Sequence, residues 1–348
     1  MNRPRVLIFS LAYFPFVGGA EVAVKELTDR LGGYFEFEII SADIKNFWSK
    51  YFFPFWASRQ AKRQHRLRKY DLVWSIMANQ AGMAGALFKK YHPGIPFLLT
   101  LQEGDDLDSF FYRLRLLAPR LFGVFARPDQ IQVISNYLAG WAKKMGARCP
   151  IVVIPNGVDL SKFGNREGNL EKVIITTSRL VKKNGIDSLV RSLAFLPDDV
   201  KLQILGLGPE EKALRRLVTS LQLSARVSFL GQIESKNVGQ YLSHATVFAR
   251  PSRSEGLGNS FLEAMAAGLP VIATPVGGIT DFLREGETGW FCEVNNPRSI
   301  SEKVKFILAP ENQEQVTRIV SNARKMVYEN YDWNKLAERF TGLLKQML

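Results

Sequence analysis

At 348 residues the chain has room for two or three domains, each with its own core. Its 46% hydrophobic and 23% charged content is that of a soluble globular protein and excludes a disordered chain. Two distant cysteines (Cys149, Cys292) and three scattered histidines exclude a disulfide framework and any recognised metal-ligand spacing. Arg3, Pro4 and Arg5 lead directly into VLIFS, which is too short for a signal sequence. No apolar run approaches the ~18 residues of a spanning helix, so a reducing cytoplasm is the expected location. The net charge of +13 is uneven. Residues 1–165 hold 22 Lys and Arg against 13 Asp and Glu, which calls for an anionic partner on the N-terminal half.

In chain order, short apolar and β-branched runs alternate with longer helical patterns. The first six runs are Val6–Ser10, Phe37–Ser41, Leu72–Ile76, Phe97–Leu101, Ile131–Ser135 and Val152–Pro155. The second six are Val173–Ser178, Lys201–Gly206, Val227–Gly231, Val247–Pro251, Val271–Thr274 and Trp290–Val294. Such runs read as strands buried on both faces of parallel sheets, and two sets of six indicate two Rossmann-like α/β domains. The turn residues Pro155, Asn156 and Gly157 place the boundary, giving domains over 1–155 and 156–331. The segment 332–348 puts Trp333, Leu336, Ala337, Phe340, Leu343, Leu344 and Met347 on one helical face, and a return onto the first domain would bury it. In open sheets of this kind ligands bind beyond the carboxyl ends of the strands, and two such edges can face each other across a cleft.

The chemistry-bearing residues gather at those strand ends. Gly18 and Gly19 follow the first strand, where a flexible backbone can approach phosphate or sugar; helix–strand packing explains them equally well, and the spacing is not that of a dinucleotide fingerprint. Phe47–Trp56 holds seven aromatics in ten residues, Trp48 and Trp56 among them. Arg59–Lys69 then brings six cations and no acid, including Arg63, Arg66, Arg68 and Lys69. Aromatics beside cations suit an anionic bilayer surface; a buried aromatic face with solvated cations is the plainer reading, and nucleic acid is not expected. A candidate helix over Phe110–Phe125, with Arg113, Arg115 and Arg120 among large apolar residues, favours the membrane. After the seventh run, Arg179, Lys182 and Lys183 can neutralise a departing diphosphate, unless they form only a solvated basic turn. The turns at Gly206–Gly208 and Gly231–Ile233 can seat a base and ribose by backbone contacts.

The most informative stretch is EGLGNSFLEAMAAG, Glu255–Gly268. A loop of Gly256, Leu257, Gly258 and Asn259 opens a helix whose free N–H groups and dipole favour a phosphate. Asn259 or Ser260 can cap that helix. Glu255 lies before the loop and Glu263 about one turn inside the helix, so two acceptors for sugar hydroxyls flank a diphosphate seat. Together with VIPNGVDLSKF, SRL…KNGID, LGLGPE, FLG, ARPSRSEGLGNSFLEAMAAGLPVIATPVGGITDFL and GETGWF, this stretch resembles the retaining glycosyltransferases of family four, which have the GT-B fold. The resemblance covers nearly the whole chain, densely from Val152 to Val294.

The resemblance implies that Glu255 contacts the donor sugar near the reacting centre, that Glu263 accepts from the ribose hydroxyls, and that Arg179 with a neighbouring lysine binds the diphosphate without a metal or other cofactor. Two positions depart from the family pattern. Asn184 stands where many members have lysine, which moves that role to Lys183. Gln102 and Glu103 stand where many members have histidine; Glu103 can serve a sugar or the acceptor, or it can belong with Asp105, Asp106 and Asp108 to a solvated acidic loop. The expected activity is transfer of a sugar from a nucleotide-sugar, a UDP-sugar ahead of a GDP-sugar, to a lipid-linked or other glycan at the inner membrane surface. An epimerase or phosphorylase of the same fold, or a donor-binding partner without turnover, are the alternatives.

Overall fold

The computed structural model describes residues 3–13, 18–42, 47–104, 123–164 and 171–348, and of Phe47 and Trp48 only the backbone. Most of the helix expected over Phe110–Phe125, and the acidic residues Asp105, Asp106 and Asp108, lie outside the described residues. The aliphatic runs form twelve strands. The first sheet holds β1 (Arg5–Ser10), β2 (Glu36–Ser41), β3 (Leu72–Ile76), β4 (Phe97–Leu101), β5 (Gln130–Val133) and β6 (Ile151–Val153). The second holds β7 (Lys172–Thr177), β8 (Val200–Leu205), β9 (Val227–Gly231), β10 (Val247–Arg250), β11 (Val271–Ala273) and β12 (Trp290–Phe291). Strand orders are β2-β1-β3-β4-β5-β6 and β12-β11-β10-β7-β8-β9. Every pairing is parallel. Parallel strands need crossovers, and the intervening amphipathic helices supply them.

The chain divides into two compact units, Met1–Gly157 with Trp333–Leu348, and Val158–Asp332. The last helix, Trp333–Met347, carries its apolar stripe into the core of the first unit, where Phe340 meets Trp74 with ring centroids 4.8 Å apart. Burying Phe340 and Leu344 stabilises that docking by about 1.5–3 kcal/mol each.

In the first unit α1 (Gly19–Leu31) follows β1, α2 (Phe47–Leu67) precedes β3, and α3 (Gln80–Tyr91) follows it. Helix α2 buries Phe53, Ala57, Ala61 and His65, spaced at one turn, along α3. Its other face is solvent-exposed: Tyr51 is 66% accessible, Phe52 55%, Phe55 58% and Trp56 51%. Arg59, Arg63 and Arg66 continue that face, and Lys69 is exposed just beyond it. Most of the described aromatics of this segment therefore do not pack beneath the sheet. Arg68 differs from the other cations, because both of its terminal nitrogens donate to the Glu36 carboxylate. Its charge is neutralised on the β2 side.

Where α2 meets α3, His65 packs against His92 with ring centroids 4.8 Å apart, and Nδ1 of His65 accepts the Tyr70 amide at 3.0 Å. Burial lowers the pKa of both imidazoles; His92, Lys69 and Arg5 add to it at His65, and Lys62, Lys69 and Arg66 at His92. The native pair therefore resists protons that the unfolded chain takes up near pH 6.5. This contribution to stability is complete above that pH and is lost as pH drops through it. Between pH 7.5 and pH 5.5 the thermal midpoint of the wild type should fall relative to that of His92→Gln. A constant difference between the two proteins would show that the histidine pair contributes nothing.

Candidate active site

The second sheet reverses its strand order between β10 and β7, with Val247 opposite Ile174 and Phe248 opposite Ile175. At such a reversal the loops leaving the two strands diverge and open a crevice at the carboxyl edge. The loop leaving β7 carries Arg179, Lys182 and Lys183; the loop leaving β10 carries Glu255. They are joined by backbone, since the Arg253 amide donates to the Lys183 carbonyl at 2.6 Å. The Arg253 side chain adds a bond from Nη2 to Asp187 at 2.8 Å. The Arg179 guanidinium is exposed and pairs with no carboxylate among the described residues. Asn184 is buried and donates from Nδ2 to the Arg179 carbonyl at 2.6 Å. At the position where a family lysine is expected, this side chain shapes the basic turn, and Lys183 remains the neighbouring cation.

The next strand ends close the same edge. Gly208 lies so near the basic turn that a Cβ there would sit 2.2 Å from the Leu180 carbonyl. The Gly206 amide donates to the Gly231 carbonyl at 2.6 Å, which ties the β8 turn to the β9 turn, and half-buried Ile233 follows.

Glu255 is held from several directions. Its Oε2 accepts from Nη2 of Arg250 at 2.5 Å, and its Oε1 accepts from the Gly256 amide at 3.1 Å. Its carbonyl lies where a Cβ on Gly277 would be, at 1.8 Å, and Gly277 has φ +55°. Only glycine lets the PVGG turn close over this loop. Leu257 anchors the loop in the core at 1% accessibility. The helix Asn259–Ala266 begins after Gly258, which has φ +94° and is itself the N-cap. Asn259 and Ser260 therefore do not cap it. Asn259 is already the first helical residue, and the Ser260 hydroxyl accepts from Nη1 of Arg250 at 2.7 Å. The first-turn amides carry no side-chain cap.

Glu263 lies one turn into this helix. Burial raises its carboxyl to about 7, against the opposing charges of Lys162 and Arg250. Lys162, in the segment before β7, is thus a further cation near Glu263 that sequence reading did not single out; nothing in DLSKF announces it. Arg250 was also missed, although a charge ending the apolar strand VFAR is a signal that burial there must serve a partner.

In the first unit the sequence candidates have mainly local partners. The Glu21 carboxyl folds back over the start of α1, its Oε2 lying 2.6 Å from where a Cβ on Gly18 would sit, and burial raises its pKa. A Cβ on Gly19 would meet open space. Glu103, 4% accessible, is not a solvated loop residue: its Oε1 accepts the Ala78 amide at 2.5 Å. It thereby fixes the β3 turn, where Met77 has φ +71°. Gln102 accepts from Asn156 at 3.3 Å. Among the described residues no three His, Cys, Asp or Glu side chains gather to hold a metal ion.

A basic turn, an uncapped helix start and two carboxylates thus come together at the reversal of the second sheet. The chain belongs to the glycosyltransferases of group 1 and family 4: the group 1 family matches residues 159–326 and Glycosyltransferase Family 4 matches residues 17–162. It is 33% identical to glycosyltransferase MJ1607 of Methanocaldococcus jannaschii over 284 residues, 78% of this chain and 68% of that one. It is 29% identical to a GDP-mannose-dependent alpha-(1-6)-phosphatidylinositol monomannoside mannosyltransferase of Mycolicibacterium smegmatis, over 82% of this chain and 79% of that one. Against two other relatives the chain spans 64% of the relative's length. Its fold is GT-B, as in Anabaena HepE solved with UDP and glucose, at TM-score 0.83 and 19% identity over 99% of this chain and 100% of that one.

The raised Glu263 value has a thermodynamic consequence. Above its unfolded value near 4.5 the unfolded chain has released a proton that the native carboxyl keeps until about pH 7. Stability therefore falls as pH rises through that interval. Glu263→Gln, which does not titrate, should gain thermal midpoint relative to wild type between pH 5 and pH 8. A constant difference across that range would contradict the half-buried, proton-holding carboxyl.

Proposed function

We propose that the enzyme is a retaining, metal-independent hexosyltransferase that moves a sugar from a nucleotide-sugar to a hydroxyl of an acceptor glycan. The observation that carries this reading is the placement of the cations and the two glutamates on either side of the β7/β10 reversal. In this reading Arg179, Lys183 and the first-turn amides of the Asn259–Ala266 helix neutralise the diphosphate as it departs, which is the main electrostatic demand of the step. Glu255 receives the donor sugar, and Glu263 receives the ribose. The departing phosphate takes the acceptor's proton on the face it leaves, which retains the anomeric configuration. The cations supply the charge that a metal would otherwise bring, so no cofactor is needed. A UDP-sugar is proposed ahead of a GDP-sugar; HepE was solved with UDP, whereas the mycobacterial relative is named for GDP-mannose.

Glu255→Gln and Arg179→Ala should each lower turnover by at least ~10²-fold with the fold intact. The assay is release of nucleoside diphosphate from a panel of UDP-, GDP- and ADP-sugars. Near-normal rates in both variants would remove the assignment. Wild-type activity should persist in excess chelator, and its loss there would overturn metal independence.

The proposed acceptor is a glycan carried on a lipid, in cell-surface polysaccharide or glycolipid assembly, reached from the cytoplasmic face of the membrane. No helix among the described residues is long and apolar enough to cross a membrane. The outer face of α2 supports peripheral attachment instead. Tyr51, Phe52, Phe55 and Trp56 are exposed together, and the same face leads into a shallow cavity of about 1060 Å³ lined by Phe55, Trp56, Arg59, Lys62, Arg63 and Arg66. Aromatics of this kind enter the headgroup region, and each cation near an anionic leaflet contributes on the order of 1 kcal/mol. Binding should require acidic lipid and weaken with salt. In vesicle co-sedimentation the wild type should pellet with acidic vesicles at low salt. A variant with Arg59, Arg63 and Arg66 changed to Gln should remain in solution. Indifference of the wild type to acidic vesicles would refute membrane attachment.

A further inference from the structure

Arg250 occupies the last position of β10, a strand buried along its whole length, and is 5% accessible. Its neighbours account for nearly all of its hydrogen-bonding capacity. Nε donates to Ser252 at 3.2 Å. Nη1 donates to Ser260 at 2.7 Å and to the Thr177 carbonyl at the end of β7 at 3.4 Å. Nη2 donates to Glu255 at 2.5 Å. The Phe261 ring covers the guanidinium, with its centroid 4.2 Å from Cζ. Gly258 leaves room for this stacking, since a Cβ there would sit 2.5 Å from the Phe261 ring and 3.1 Å from Nη2. One side chain thus joins the end of β7, the end of β10, the glutamate loop and the first turn of the helix.

We propose that Arg250 is a positioning residue for the transfer reaction: it holds the Glu255 carboxylate in one orientation relative to the helix start. This rests on the reading that Glu255 faces the donor sugar. A buried ion pair is weak as a source of stability, because well-packed apolar side chains of similar volume do as well or better. What an apolar residue cannot do is fix a carboxylate. The planar guanidinium has rigidly placed donors, so bonding Glu255 and Ser260 at once sets the loop against the helix within a narrow geometry. Catalysis by oriented charge depends on such fixing, since a group that must reorganise loses its advantage in the transition state.

The test compares Arg250→Met, Arg250→Lys, Glu255→Gln and the double variant Arg250→Met/Glu255→Gln. Kinetics use whichever of UDP-glucose, UDP-N-acetylglucosamine and GDP-mannose the wild type turns over fastest, and circular dichroism verifies folding. Arg250→Met should lower kcat by about 10²-fold with donor KM changed less than about threefold. Arg250→Lys, which retains the ion pair, should recover about tenfold of that loss. It also guards against an unfolded methionine variant. The double variant should be no slower than Glu255→Gln alone, the signature of two residues acting as a unit. Losses that multiply, or an Arg250→Met protein with normal kcat and only a lower thermal midpoint, would overturn the proposal. A normal rate in Glu255→Gln would instead reject the donor-site reading on which it rests.

Discussion

The parallel pairing of β7 with β10 is the constraint on which the candidate site depends. Strands β8 and β9 extend the sheet on one side of β7, and β10, β11 and β12 on the other. All run in the same direction, so all their carboxyl ends open on one edge. Residues that are 70 or more positions apart in the chain, Arg179 and Glu255 among them, leave adjacent strands there. Without this pairing the basic turn and the glutamate loop would be unrelated surface features.

The site is built by glycines and one buried arginine more than by apolar packing. Gly277 lets the PVGG turn approach the Glu255 carbonyl, and Gly208 lets the β8 turn approach Leu180. Backbone polar groups crowded in this way must find partners or pay for desolvation. They do so through bonds such as Arg253 to Lys183 and Gly278 to Glu255. The resulting frame places the two glutamates in unlike surroundings. Glu255 is ion-paired to Arg250, whereas Glu263 is held near neutrality by burial. Two carboxyls differentiated by environment can carry two different roles, one toward a charged centre and one toward hydroxyl groups.

The two units use charge differently. In the second, cations gather at one edge of the sheet. In the first, the excess charge lies on the outside of α2, beside the exposed rings of Tyr51, Phe52, Phe55 and Trp56. Arg68 shows how such an excess is moderated, since Glu36 takes it into a surface pair. Among the described residues Arg59, Arg63 and Arg66 form no such pair with a carboxylate of β2. The histidine pair beneath them keeps the packed side of α2 neutral, so the two faces of one helix serve opposite electrostatic demands.

By itself the sequence determined the twelve strands, their parallel grouping in two sets and the glutamate loop, because aliphatic runs and glycine turns are local signals. The amphipathic stripe of Trp333–Met347 was equally legible, since helical period shows in any window of a few turns. Tertiary structure decided the partners. That Gly258 caps the glutamate helix depends on its left-handed backbone, and that Ser260 serves Arg250 depends on a strand end ten residues earlier. Asn184 could be read as a lost cation until its bond to the Arg179 carbonyl was in view. Glu103 could be read as a sugar or acceptor ligand or as part of an acidic loop, and only the fold shows it buried with its carboxylate on the Ala78 amide. Arg250 and Lys162 escaped notice because their importance comes from distant groups: a sequence records which charges exist, and only the fold brings each to the group that gives it a role.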